Sequence, residues 1–363
     1  AFDMTHYQLE RNYGCRISDA WTFRGLKTAV LENELLRIVI LIDKGADVYE
    51  FVHKPTDVDF MYRDPHGVRD PRTFTPTTGE NVGTWMDFYE GGWQTVFPGG
   101  GFPSQYQGAD MGLHAEANMV PWDAAIVEDT PERVAIKCWV RTARTPYYFE
   151  KTLALNAGSS VLELEQTLTN EGEEVAHCVW GEHIALGPPF LSPDCVIDLP
   201  GGTLINHDDQ HHPNAKLKLG ARTPWPMTED QEGNPIDASR IAPKEARRYD
   251  MSYIADMPEG WYAITNQKMG VGLGVHWPTD VYKFLWFWQS YGGGYGYPWW
   301  GRTYNVGLEP FSSWTNQGIA DAMSNGTVME LQAGEKVSSS VRVVAYTGSE
   351  RVKRITENGE VVR

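Results

Sequence analysis

The stretch RVAIKCWV, Arg133–Val140, sets Val134, Ile136, Cys138 and Val140 on one side and Ala135, Lys137 and Trp139 on the other. An apolar side chain at every second position is the period of a strand, because successive side chains leave a pleated backbone on opposite faces. VLELEQTL, Val161–Leu168, repeats the pattern with Leu162, Leu164 and Leu168 set against Glu163 and Glu165. KVSSSVRVVAY near the C-terminus repeats it again with Val341, Val343 and Ala345. Such alternation marks antiparallel strands with one buried and one solvated face. LLRIVILI, Leu35–Ile42, is more continuously apolar and is expected to be covered on both faces. NAGS at Asn156, NEGEE at Asn170, LPGG at Leu199 and QAGEK at Gln332 supply turns between the runs. Long amphipathic helices are missing, and so is any GxGxxG opening a helix. The predicted fold is all-β, a large antiparallel β-sandwich with few short helices. Residues 1–363 are expected to form one such domain, with a polar, Pro-rich loop excursion at about 206–248.

The net charge of −17 repels polyanions and leaves no basic stripe for nucleic acid. No apolar run approaches the ~20 residues of a membrane span. The N-terminal AFDMTHYQLERNYG carries no charged-then-apolar signal pattern, so a cytoplasmic location is expected. Cys15, Cys138, Cys178 and Cys195 form no CxxC pair; they read as free, buried thiols that behave as small hydrophobes.

Chemistry gathers in three separated segments. GGWQTVFPGGG, Gly91–Gly101, crowds Trp93, Gln94 and Phe97 among glycines, and LHAEANMVPW follows with His114 and Glu116. WGEHIALGPPF, Trp180–Phe190, holds Glu182 and His183 in an apolar run, and NVGLEPF, Asn305–Phe311, holds Glu309. An acidic side chain in such a strand is costly to bury unless it is paired or has a chemical task. Two imidazoles and a carboxylate converging on one face would supply a general acid and a general base. FLWFWQSYGGGYGYPWW, Phe284–Trp300, offers an aromatic platform, with Trp286 and Trp288 on one strand face and Phe287 and Gln289 on the other. Flat aromatic rings suit the C–H faces of sugars. NHDDQHHP, with His207, Asp208, Asp209, His211 and His212, is the one candidate metal cluster, without diagnostic ligand spacing. Arg63, Arg69 and Arg72 in RDPHGVRDPR could meet a carboxylate or phosphate on a substrate, although a turn with surface charges is the better account of them.

Taken together, the chain resembles the galactose mutarotase-like superfamily, in particular the aldose 1-epimerases. The matching pieces are LIDKGADVYEFVHKPTDVDFMYRDP (41–65), the Gly-rich segment with LHAEANMVPW, TLTNEGEEVAHCVWGEHIALG (167–187) and NVGLEPFSSW (305–314), in the family's order. The resemblance implies a β-sandwich with a concave sugar-binding face. It further implies Glu309 as the base drawing the anomeric proton and His183 as the acid protonating the ring oxygen, on opposite sides of one hexose-sized hollow, with His114 supporting the ring-oxygen side or holding a hydroxyl. On this reading Trp93, Gln94, Glu116, Glu182, Trp288, Gln289 and Arg63 contact the substrate, and the Gly run lets backbone approach it. The partner is a small-molecule carbohydrate, with no cofactor, no metal, no nucleic acid and no membrane, and a homo-oligomer is compatible. A lyase or glycosidase on the same scaffold, metal-assisted through His207–His212, and a non-catalytic sugar-binding module are the competing readings. Glu182 stands where galactose mutarotases place Asn before the acid His, and the 206–248 insertion is longer than theirs.

Overall fold

The computed structural model describes residues 11–74 and 77–363; residues 1–10, most of the stretch read for a targeting signal, lie outside them. Two large antiparallel sheets dominate. The twelve-stranded sheet runs in the order Arg16–Phe23, Leu26–Glu32, Leu36–Leu41, Asp47–His53, Trp93–Val96, Gly181–Leu186, Tyr304–Phe311, Phe284–Tyr291, Arg248–Ala255, Thr203–Asn206 and Arg222–Pro224, with Val58–Asp59 paired to Asp47–His53 off this path. The eight-stranded sheet runs Cys195–Asp198, Trp261–Asn266, Val271–His276, Lys336–Thr347, Val161–Asn170, Tyr147–Asn156, Arg133–Arg141 and Asp123–Asp129. The α-helices among the described residues are short, Gly83–Met86 and Ile319–Ser324, and none is long and apolar enough to cross a membrane.

The core lies between the two sheets. Val134, Ile136, Cys138, Leu162, Leu164, Leu168, Val341 and Val343 enter it from the smaller sheet, and Ile38, Ile184, Phe287, Val306 and Leu308 from the larger. The alternation read in Arg133–Val140 and Val161–Leu168 therefore names the inward face correctly. All four cysteines are free and buried.

Two expectations need correction. Leu36–Leu41 is not covered on both faces: Arg37 is exposed and Val39 half-buried, while Leu36, Ile38 and Ile40 point inward. The strands enclosed on both faces lie at the centre of the large sheet. Gly181–Leu186 and Tyr304–Phe311 are buried at every position, and Phe284–Tyr291 at all but its first. Their second face meets another apolar cluster, which includes Trp85, Tyr89, Trp286, Trp288, Trp299 and Phe311. Nor is 206–248 a bare loop. Arg222–Pro224 extends the large sheet, and Met227–Glu229 pairs with Pro235–Asp237.

Close packing at the sheet centre depends on Gly181. A Cβ there would lie 2.2 Å from the Phe311 ring, and that ring stacks on Trp286 at 3.7 Å between centroids. Gly181→Ala forces this stack apart and should lower stability by about 1–3 kcal/mol, read from the midpoint of urea denaturation.

Candidate active site

One lateral row of the large sheet builds the floor of a cleft. His183 pairs with Gln94 on one neighbouring strand. On the other side the pairs Gly181–Phe311 and Ala185–Gly307 bracket it and set it opposite Glu309. The row continues through Trp286, which pairs with Glu309, to Tyr253, which pairs with Trp286. Directly opposed residues on adjacent strands are within side-chain reach, and His183 Nε2 lies 3.5 Å from Glu309 Oε1. Gly307 permits this arrangement: a Cβ there would fall 2.1 Å from Glu309 Oε1, so the carboxyl group folds back over its own strand.

Aromatic rings close around the pair. The His183 ring meets Tyr89 at 5.6 Å, Trp85 at 5.9 Å, Trp288 at 5.9 Å and His114 at 5.2 Å between centroids. Met86, Phe102, Leu113, Tyr249, Met251, Trp299 and Asn316 complete a cleft of about 520 Å³, its open mouth included. His114 is fixed by a reciprocal link to Gly101. The Gly101 N–H donates to His114 Nδ1 at 3.1 Å, and the His114 N–H donates to the Gly101 carbonyl at 2.9 Å. Nδ1 thus accepts, and in the neutral ring Nε2 carries the proton as a donor for a ligand.

Burial sets the electrostatics. It pushes the Glu309 carboxyl well above the ordinary range and the His183 imidazole down to about 4, with the Lys44 charge adding to the latter. His114 is pushed well down by burial and by His183 beside it. Burial thus favours the uncharged form of both members, a carboxylic acid beside a neutral imidazole. Glu309 Oε1 and His183 Nδ1 are both enclosed without a hydrogen-bond partner, an arrangement that buried polar groups rarely keep unless they have a task. Sequence reasoning did not single out the buried cation nearby: Lys44 Nζ sits 2.9 Å from Asp47 Oδ2 and 2.7 Å from Glu90 Oε2. Burial lowers its proton affinity, but the two carboxylates outweigh that and hold it above the ordinary range.

Of the residues predicted from sequence, the cleft collects His114, His183, Trp288 and Glu309. The others go elsewhere. Glu182 follows the strand's alternation to the opposite face, into the core between the sheets. There it accepts hydrogen bonds from Trp93 Nε1 at 2.6 Å, Gln166 Nε2 at 2.6 Å and Thr95 Oγ1 at 3.2 Å. Lys151, bonded to Thr95 Oγ1 at 3.0 Å, is the cation of this network. Trp93 and Glu182 are thus structural partners and not substrate contacts. Gln94 shares the His183 face but is fully buried and donates to the Gly91 carbonyl at 2.6 Å. Glu116 turns away from the cleft, and its carboxylate accepts the Arg144 N–H at 3.0 Å. Gln289 lies on the strand face opposite Trp288 and accepts from Arg248 Nη2 at 3.2 Å. Arg63 lies over the Tyr49 ring at 3.8 Å and pairs with Asp59. The Gly run serves packing as well as the cleft: a Cβ on Gly101 would lie 2.0 Å from the Asn316 carbonyl.

The candidate metal cluster splits. Ligand atoms of His207, Asp208 and Asp209 lie within 4.8 Å of one another. Both His207 nitrogens are engaged, however, Nδ1 with Tyr253 OH at 3.0 Å and Nε2 with Gln317 Nε2 at 3.1 Å. His211 and His212 instead pack on Tyr249. Trp299 falls in the aromatic stretch read from sequence, whereas Trp85, Tyr89, Tyr249 and Asn316 escaped sequence reading because they come from a one-turn helix, loops and a strand without a pattern of their own.

The packing of these two large antiparallel sheets is a fold shared with proteins described as galactose mutarotase-like. A structure from Klebsiella pneumoniae, provisionally named an aldose 1-epimerase, superposes with a TM-score of 0.71 at 16% identity, over 92% of this chain and 84% of that one. A galactose mutarotase-like protein from Clostridium acetobutylicum gives 0.63 at 13% identity, over 92% and 99%. The Slr1438 protein from Synechocystis gives 0.63 at 15% identity, over 90% and 99%. Identities this low establish a shared fold. Residues 23–344 match the family described as a domain of unknown function, DUF4432, and the chain belongs to that family. No curated protein matches the sequence.

The separate duties of neighbouring residues can be tested at Glu182. Glu182→Leu strands three donors and leaves Lys151 a buried cation without its carboxylate. It should cost about 3–5 kcal/mol in urea denaturation, while the folded fraction still quenches its tryptophans on binding a ligand in the cleft.

Proposed function

We propose that the cleft opens and recloses the ring of a neutral aldose, the reaction of an aldose 1-epimerase, with Glu309 and His183 exchanging the protons and His114 donating a hydrogen bond to the sugar. The observation that carries this reading is the pair itself: two groups 3.5 Å apart, side by side on the floor of one aromatic cleft. The expectation from sequence set them on opposite sides of a hexose-sized hollow; they stand side by side instead, and adjacency still suits the chemistry. The anomeric hydroxyl and the ring oxygen are borne by one carbon, so a neighbouring acid and base can address both at once. One member takes the proton of the anomeric hydroxyl. The exocyclic C1–O bond becomes a carbonyl as the bond from C1 to the ring oxygen breaks, and that oxygen takes a proton from the other member. Rotation about C1–C2 and reversal of these steps on the other face give the second anomer and restore the pair. For Glu309 to accept and His183 to donate, the resting proton first crosses from the carboxyl to the imidazole, and the ion pair so formed is the reactive microstate of the coupled pair.

The competing readings draw less support. A glycosidase of the usual kind works with two carboxyl groups, and Glu309 is the only one among the described residues lining the cleft. A metal-assisted reaction would need His207 to give up bonds it already makes. A pure binding module leaves the two unpartnered buried atoms of the pair without a purpose.

Anomer equilibration followed by polarimetry, after subtraction of the buffer rate, tests the reading. Glu309→Gln and His183→Asn should each lower kcat/KM by about 10²–10⁴-fold, the usual share of general acid–base catalysis. Unchanged rates in both would remove the assignment.

The pH profile carries a second expectation. With the His183 imidazole at about 4, the free enzyme keeps its proton acceptor until the pH falls through that value. Below it both members are protonated and neither accepts. The acid limb of kcat/KM should therefore lie near pH 4. An ordinary imidazole would place it at ~6.5.

A further inference from the structure

We infer that Asn316 reads a hydroxyl of the sugar as a hydrogen-bond donor, and that His207, behind the cleft wall, is the positioning residue that turns the Asn316 amide in that sense. The inference rests on the sugar reading of the cleft and adds to it a residue that sets specificity.

A chain of hydrogen bonds leading away from the cleft fixes the direction of each proton. Gln317 Nε2 lies 3.1 Å from His207 Nε2. An amide nitrogen only donates, so His207 Nε2 accepts, and in the neutral ring the proton stands on Nδ1. Burial lowers the proton affinity of this imidazole more than Asp208, Asp209 and Asp321 raise it, which keeps the ring neutral at neutral pH. Nδ1 then donates to Tyr253 OH, 3.0 Å away. The same oxygen accepts the Asn316 backbone N–H at 3.0 Å. Its own proton therefore goes to the remaining neighbour, Asn316 Oδ1, at 3.0 Å. With Oδ1 held in this way, the free end of the Asn316 side chain is its amide nitrogen. Among the described residues that nitrogen has no hydrogen-bond partner, and Asn316 lines the cleft.

The chain is held rigidly. Tyr253 is fully buried, edge-on to Trp286 at 6.0 Å and to Trp314 at 5.6 Å. The Asn316 carbonyl accepts the Phe102 N–H at 2.7 Å, next to the Gly101 that fixes His114. Two neutral donors, Nε2 of His114 and Nδ2 of Asn316, are thus anchored to one segment of the wall. A few polar groups fixed in an apolar cleft are what orient a ligand and select it. His207 entered the sequence reading as a candidate metal ligand; its two engaged nitrogens give it the task of setting a tautomer.

Two measurements on the intact protein test this. Heteronuclear NMR of the unliganded protein, isotope-labelled at histidine, reads which His207 nitrogen carries the proton, the signal being assigned by its loss in His207→Gln. Protonated Nδ1 is expected. A proton on Nε2 overturns the inference, because Tyr253 would then donate to Nδ1 and the Asn316 amide would have to reverse, with its oxygen toward the cleft. The second measurement compares D-glucose and D-galactose with their 2-, 3-, 4- and 6-deoxy analogues in the wild type, Asn316→Ala and Tyr253→Phe. In the wild type one analogue should fall about 10-fold below its parent in kcat/KM, the usual contribution of one hydrogen bond to an enclosed donor. In both variants that ratio should shrink toward one, chiefly because KM for the parent rises; a merely structural defect would weaken parent and analogue alike. A ratio that survives in Asn316→Ala overturns the reading by Asn316, and one that survives only in Tyr253→Phe overturns the positioning. If neither sugar is equilibrated, ring opening fails for these sugars, and the same ratios are taken from binding by tryptophan quenching. Absence of binding as well ends the inference.

Discussion

Everything in this molecule depends on three central strands of the large sheet being enclosed on both faces. Gly181–Leu186, Phe284–Tyr291 and Tyr304–Phe311 send alternate side chains into the core between the sheets and into the aromatic cluster under the cleft. A floor of that kind does not yield, because its side chains are held from behind by close packing. The register that aligns Ala185 with Gly307 and Trp288 with Gly307 also aligns His183 with Glu309 and Glu309 with Trp286. The pair is therefore positioned by the backbone ladder and needs no flexible loop to assemble it.

The same enclosure governs charge. The protein is strongly acidic, yet the described lining of its cleft holds one carboxyl group, and burial pushes that group well above the ordinary carboxyl range. Charged residues are nevertheless buried nearby, and each is answered: Lys44 by Asp47 and Glu90, Lys151 by the Thr95–Glu182 network. At the cleft His183 Nδ1 and Glu309 Oε1 are enclosed without partners, as are Trp288 Nε1, Tyr89 OH and Gln94 Oε1 around them. An uncharged pair costs less to enclose than an ion pair would. Its two protonation states differ by one proton shift, which a polar substrate can bias in either direction.

The sequence announced the sandwich through strands with one wet face, such as Val161–Leu168, where Glu and Leu alternate. It announced the catalytic candidates through their cost, since His183 and Glu309 stand in apolar runs. It did not announce which face each residue takes within a doubly covered strand. In WGEHIAL every position is buried, so hydropathy carries no parity signal, and Glu182 was grouped with the substrate contacts for that reason. Trp93 and Gln289 misled in the same way: an aromatic ring and an amide are as welcome in a core as in a cleft. Arg63 was legible only as a charge, because its partners Asp59 and Tyr49 lie across a turn. The aromatics outside the Phe284–Trp300 stretch could not be read at all, since Trp85 and Tyr89 reach the cleft through chain geometry and not through any period.

Parity also explains why adjacent residues hold opposite roles. Glu182 and His183 are consecutive, and so they leave the strand on opposite faces. One carboxylate is tied down by three donors in the core, and the neighbouring imidazole is left with an enclosed nitrogen that has no partner. A slip of the strand by one residue would exchange them, sending an unpaired imidazole among the core hydrogen-bond donors and a second carboxyl group beside Glu309. Both errors are expensive, so the Trp93–Glu182–Gln166 network acts as a lock on the register. The core's polar network and the cleft's proton-exchanging pair are in this sense one constraint, expressed on the two sides of a single strand.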